Sequence, residues 1–231
     1  MKTKIIATIG PATLDFGIFN KVVHEGVDFL RINTAYGNYN QYNLILNNLK
    51  QSNKKDIKVI FDIKKLDVLD YFVRNNLSMV AVSFTESKKQ LENVREKVNK
   101  AFIISKIESK QGVENFEEIL EVSDGVMVAR GDLGEAVSLE KVPCLQKRFT
   151  QRTLEKGKFL IAATEMLLSM TEDTTPTRAE VSDVANAVFD GASAVMLSEE
   201  TAIGKYPVES VRYMRKIIKE AEECLNSDLK L

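Results

Sequence analysis

The chain has 231 residues, 44% hydrophobic and 28% charged, with a net charge of −1 at pH 7. That length suits one large domain or two small ones of ordinary globular composition. The near-neutral balance gives no reason to expect nucleic acid or an anionic membrane as partner, and no apolar stretch approaches the ~20 residues that span a bilayer.

Eight short apolar, β-branched runs follow in chain order: KIIATI (4–9), VDFLRIN (27–33), IKVIFDI (57–63), SMVAVSF (78–84), AFIISKI (101–107), DGVMVAR (124–130), KFLIAAT (158–164) and SAVMLS (193–198). Continuous rather than alternating hydrophobicity suits parallel strands covered on both faces. Between them lie amphipathic segments such as FGIFNKVVHEG, YNQYNLILNNLK and VENFEEILEV, with Lys and Glu opposite the apolar stripe. Thr177 and Glu180 have the spacing of a capping box, and Gly157 closes the helical stretch before KFLIAAT. Eight strand–helix alternations predict an α/β fold, a compact single-domain (β/α)8 TIM barrel over residues 1–231. An open doubly wound sheet is the alternative that the pattern alone leaves. Cys144 and Cys224 are far apart and lack metal-ligand spacing, which predicts reduced thiols in a cytoplasmic protein.

Strand beginnings are flanked by polar residues, as any exposed loop would be, but charge within or just after the apolar run gathers at the carboxyl end. Arg31, Asn33, Asp62, Ser83, Lys106, Glu108, Arg130, Asp132, Thr164, Glu165, Ser198, Glu199 and Glu200 all stand within or just after a carboxyl end. In parallel α/β proteins that is where sites form. Lys106 and Glu108, two apart in an extended chain, point the same way. Polar groups in a packed interior cost several kcal/mol unless paired, whereas on one rim they can pair with each other and with a ligand. Glu108 and Asp132 are hard oxygen donors suited to Mg²⁺ or Mn²⁺ rather than Zn²⁺. Lys106 beside them is a fixed positive charge for an oxyanion or a transferring phosphoryl group. The backbone N–H groups of RGDLG (130–134) could hold a carboxylate or phosphate, and Thr164 offers a hydroxyl. Each has a plainer reading: a structural Lys–Glu ion pair, an N-cap at Asp132, an Arg31 that only meets a neighbouring carboxylate.

These same residues carry a resemblance. TKIIATIGPAT, ISKIES, GVENFEEILEVSDGVMVARGDLG, AATEML and TPTRAEVSDVANAVFDGASAVMLSEETAIGKYPVESV resemble the catalytic barrel of the pyruvate kinase family, densely from 101 to 216 and more loosely from 40 to 100. The resemblance implies phosphoryl transfer between phosphoenolpyruvate and ADP or ATP as co-substrate. It implies that Lys106 stabilises the phosphoryl group and the enolate, and that Arg31 contacts the phosphoryl group. Glu108 and Asp132 would bind the divalent metal, Gly131 and Asp132 would give backbone donors to the substrate carboxylate, and Thr164 would serve proton delivery. Asn33 and Asp62 would belong to a K⁺ site, and Pro11 would lie near the nucleotide.

The departures from the family pattern are specific. Ala35 stands where the family has a serine K⁺ ligand, which predicts weak K⁺ dependence, and Tyr36 replaces a histidine near the nucleotide. Glu165 and Glu199 replace uncharged residues and add negative charge that should hinder a polyphosphate. After Lys65 the chain runs directly into LDVLDYF where the family inserts a lid domain, and it stops after the last helix, before the family's regulatory domain. Nucleotide-independent enolisation or decarboxylation of a 2-oxo acid such as pyruvate or oxaloacetate therefore stands as an alternative, as does a barrel that only binds a ligand or partner. TPTRAE resembles a subunit contact of the family, so a homo-oligomer is possible by analogy.

Overall fold

The computed structural model describes residues 2–227. Its strands are β1 (Lys4–Thr8), β2 (Phe29–Asn33), β3 (Lys58–Ile63), β4 (Met79–Val82), β5 (Phe102–Ile107), β6 (Gly125–Ala129), β7 (Phe159–Ala163) and β8 (Ala194–Leu197). They pair in parallel in chain order, and β8 returns to β1, so the sheet closes. This is the (β/α)8 barrel expected from the sequence, and closure excludes the open sheet. Each strand lies inside its apolar run, trimmed where the chain leaves the ladder for a loop.

The helices are α1 (Phe16–His24), α2 (Tyr39–Gln51), α3 (Leu69–Arg74), α4 (Lys88–Lys97), α5 (Lys110–Glu114), α6 (Phe116–Val122), α7 (Arg130–Val137), α8 (Val142–Glu155), α9 (Arg178–Phe189), α10 (Glu199–Ala202) and α11 (Pro207–Asn226). Their starts are capped by the residue types that suit the task. Asp15 accepts from the Ile18 N–H, Asn38 from Asn40 and Gln41, and Ser87 from Gln90. The capping box of α9 forms as predicted, and Glu180 does more than cap. It also accepts from the Ser169 N–H at 2.6 Å, tying α9 to the segment after β7. VENFEEILEV divides at Asn115 into α5 and α6, and the Asn115 side chain is drawn off to the Glu86 carbonyl at 2.7 Å. Among the described residues no helix is long and apolar enough to cross a membrane.

Two apolar layers hold the barrel. The outer one lies between strands and helices and includes Phe19, Leu30, Phe61, Ile107, Phe149 and Ile218. The inner one fills the barrel with Ile6, Ile60, Ala81, Ile104, Met127, Ile161 and Met196. Each fully buried Ile or Met is worth roughly 2 kcal/mol against exposure. Beneath this layer Phe29, Phe102 and Phe159 meet edge to face, with centroids 5.9 and 6.1 Å apart, and close the amino-terminal end. Side chains alternate along a strand. The residues two places beyond the inner layer therefore also point inward, at the carboxyl end: Thr8 after Ile6, Asp62 after Ile60, Ser83 after Ala81 and Lys106 after Ile104. The barrel is apolar through its middle and polar at one mouth.

Candidate active site

That polar mouth is organised around Asp62. Its side chain is fully buried, and it receives Arg31 Nε at 2.8 Å and Lys106 Nζ at 3.1 Å on one oxygen, with the Ser83 hydroxyl donating at 3.1 Å to the other. Lys106 Nζ also lies 2.9 Å from Glu108 Oε1 and donates to Ser83 Oγ at 3.0 Å. The second oxygen of Glu108 accepts the Phe84 N–H at 2.6 Å. Arg31 Nη1 completes the group on Thr8 Oγ1 at 3.2 Å. Two cations and two carboxylates, drawn from β2, β3 and the end of β5, thus share one buried cluster with no net charge. Four buried charges are tolerable only because each is paired and hydrogen-bonded.

The two carboxylates are not equivalent. Burial would raise Asp62, but the Lys106 and Arg31 charges outweigh it and hold its pKa below the usual 3.8. At Glu108 burial dominates the opposing Lys106 charge and Phe84 N–H, and pushes the carboxyl above its usual 4.5. Asp62 is the permanent anion of the cluster, and Glu108 is the member whose charge is less secure.

A second group forms beside it. β6 passes straight into α7, and the Gly131 N–H at the start of that helix donates to Thr164 Oγ1 at 2.8 Å. Thr164 and Glu165 both sit in the left-handed region, with φ of 70° and 53°. A β-branched residue there is strained, a feature that clusters at functional sites. Arg130 over-determines the turn: Nη2 donates to the Thr164 carbonyl at 2.6 Å, while Nη1 meets Asp183 at 2.6 Å. A Cβ placed on Gly131 would meet only Thr164, at 3.7 Å or more, so open space lies above this pair.

Among the described residues, the side chains of the remaining expected site residues make no hydrogen bond or ion pair with either group. Asn33 pairs with Asp62 in the β2–β3 register, yet its side-chain oxygen accepts the Ala35 N–H at 3.1 Å. Asp132 is exposed in the first turn of α7 and not at its N-cap, and among the described residues no ion pair or hydrogen bond engages its carboxylate. Glu108 and Asp132 come from the ends of adjacent strands, since Ile107 pairs with Val128. Among the described residues no three His, Cys, Asp or Glu side chains form a ready cage. A cation held here would need ligand or water oxygens, and an all-oxygen donor set of this kind fits Mg²⁺ or Mn²⁺. Pro11 starts the turn after β1 and lines a cavity of about 310 Å³ with Arg31, Asn33, Tyr36, Ser198 and Glu199. Gly10 lets that turn approach α10, because a Cβ there would stand 2.7 Å from the Ala202 carbonyl.

Glu200 has a part that the sequence reading did not find. It is wholly buried and accepts the Leu167 N–H at 2.9 Å and the Ser198 N–H at 2.7 Å, joining the loops after β7 and β8. Burial raises its pKa. Its signal was faint: in SEE the two glutamates differ only by which one the short helix α10 turns inward.

The comparisons agree with this fold. The model of the pyruvate kinase barrel domain matches residues 1–68 and 61–211, two stretches that meet around Lys65. Pyruvate kinase of Chlamydia muridarum is 43% identical over 225 residues, which is 94% of this chain and 46% of that protein. Those of Thermococcus litoralis and Leishmania mexicana are 46% and 51% identical over 71% and 68% of the chain, and 35% and 32% of their own lengths. The chain thus spans about half the length of these relatives or less. With a closed barrel, a charged cluster at its carboxyl mouth and a family match over nearly its whole length, the chain belongs to the pyruvate kinase barrel family.

Proposed function

We propose that the chain acts on phosphoenolpyruvate and pyruvate, transferring the phosphoryl group between phosphoenolpyruvate and ADP. The observation that carries this reading is the buried cluster Arg31–Asp62–Lys106–Glu108. Asp62 holds both cations in place before any ligand arrives, so little reorganisation is needed when an anion enters. Arg31 and Lys106 would face the phosphoryl oxygens, and Lys106 would stabilise the enolate left behind. The Gly131 and Asp132 N–H groups, at the first turn of α7, would orient the substrate carboxylate. The Thr164 hydroxyl would move a proton to or from the methylene carbon, its position fixed by the Gly131 N–H. Glu108 and Asp132 would hold Mg²⁺ or Mn²⁺, which supplies charge neutralisation for the phosphoryl group and the enolate.

K⁺ has a poor claim here. Ala35 contributes no side-chain oxygen, the Asn33 oxygen is turned to the backbone, and Asp62 already serves two cations and a hydroxyl. A soluble enzyme of small molecules, without nucleic acid or membrane, is the setting this chemistry suits.

A nucleotide-free reading is favoured by one observation. The cavity beside Pro11 is lined by the Glu199 carboxylate, while Arg31, the one cation in its lining, is already paired with Asp62. Such a cavity repels a polyphosphate, which leaves enolisation or decarboxylation of a 2-oxo acid by the same rim. A lactate dehydrogenase-coupled assay with phosphoenolpyruvate, Mg²⁺ and ADP separates the two, with Lys106→Met as control. Turnover abolished by Lys106→Met supports the kinase reading. No turnover, together with Mg²⁺-dependent exchange of pyruvate methyl protons in deuterated water, refutes it in favour of enolisation.

A further inference from the structure

At the opposite, amino-terminal face of the barrel lies a cavity of about 460 Å³, between the end of α2, the start of β3 and the approach to β4. Lys50, Lys54, Lys55 and Lys58 line it, and no carboxylate does. Asp56, the one acid in the segment 50–58, is exposed and outside the lining. None of the four lysines takes part in an ion pair among the described residues, although fifteen such pairs form elsewhere. In a chain of net charge −1, the lining thus carries four positive charges and no negative one, and the segment 50–58 a net excess of three.

Helix electrostatics explain only one of them. Lys50 sits in the last turn of α2, where a cation is favoured. Lys54, Lys55 and Lys58 lie beyond the helix and gain nothing from it. The left-handed Asn53, with φ of 59°, reverses the chain so that these lysines fold back beside Lys50. Four lysines line this one concavity, and like charges gathered there are relieved when an anion sits among them. The rest of the lining, including Leu49 and Leu77, has no charge to compete for that anion.

We propose that this basin binds a compact oligophosphate, either the inorganic chain or the polyphosphate tail of a nucleotide. Lysines are compact point charges that match phosphate oxygens without demanding planar geometry. The site stands on the far side of the barrel from Lys106 and does not depend on the catalytic reading.

Calorimetry with sodium tripolyphosphate on the whole chain, at about 50 mM salt, tests it. Lys54→Gln/Lys55→Gln should weaken binding at least about tenfold, or ~1.4 kcal/mol. Lys64→Gln/Lys65→Gln, on the opposite rim, should leave it within about twofold. Far-UV circular dichroism confirms that each variant folds, as solvated lysines permit. Equal loss in all variants, no loss in Lys54→Gln/Lys55→Gln, or an affinity no better than that of sulfate at matched ionic strength overturns the proposal. A parallel titration with ATP that shows the same tenfold loss assigns the nucleotide tail. ATP binding indifferent to Lys54 and Lys55 assigns the inorganic chain.

Discussion

Replacing Asp62 by Asn should be the most damaging single change at the rim. The side chains differ by one charge and almost no volume, so packing is preserved and electrostatics alone is perturbed. Asp62 is fully buried and takes Arg31 at 2.8 Å and Lys106 at 3.1 Å. In the variant only Glu108 remains to balance two buried cations, and Arg31 keeps no carboxylate at all. Breaking a buried pair this way costs about 3–5 kcal/mol, because the partners stay buried without compensation. For a chain of this size each kcal/mol moves Tm by roughly 2–4 °C, so the expected drop is about 6–20 °C. Urea unfolding followed by far-UV circular dichroism at pH 7 gives the free energy directly. The pH profile supplies the second check. The folded pKa of Asp62 lies below its usual 3.8, so its stabilisation is complete above that range and is lost as pH falls through the folded value. The gap between wild type and variant should hold steady down to about pH 4 and narrow below it. A loss under ~1 kcal/mol at pH 7, or a gap that does not narrow on acidification, would refute the reasoning.

Three further outcomes follow from other residues. Asp132→Asn touches an exposed, unpaired carboxylate, so stability should stay within about 0.5 kcal/mol while Mg²⁺ affinity, read by titrating turnover, falls at least about tenfold. Thr164→Val strands the Gly131 N–H and removes the proton-bearing hydroxyl. It should lower stability by about 1–3 kcal/mol and turnover by roughly 10²–10⁴, whereas Thr164→Ser keeps the hydroxyl and should remain near wild type in both. Asp28 sits between Lys4 and Arg215, each 3.0 Å away, and accepts the Ile5 N–H. These contacts outweigh burial and lower its pKa below 3.8. Asp28→Asn should destabilise by about 1–2 kcal/mol at neutral pH, an effect that disappears as pH falls through the folded pKa.

The strands were legible because continuous apolar runs have one use in a protein of this length, and eight of them closed as eight. The rim was legible for a related reason: alternation along β5 places Lys106 and Glu108 on the same side whatever the tertiary context. The details that escaped are those that alternation does not encode. Arg31, Asp62 and Lys106 belong to three strands, and only the barrel register brings them to one point, so the pairing of Asp62 with two cations of the protein itself was not readable from the sequence. The left-handed turn at Thr164 and Glu165 left no trace in the sequence, since neither residue favours that conformation. Arg130 was visible as a rim charge, but its task of bracing the Thr164 carbonyl against Asp183 depends on α9, far along the chain. Glu200 was visible as an acid after a strand, with nothing to mark it as buried.

One junction has a practical meaning. β3 ends at Ile63, the next turn begins at Leu66, and the intervening Lys64 and Lys65 are exposed at the mouth. Closing a loop costs only slowly more as it lengthens, so this point should accept a grafted guest module whose own ends lie close together. The staves on either side are held by their neighbours and by the buried charges, not by the brevity of that link. A module inserted there would stand over the carboxyl mouth, where the charged cluster lies.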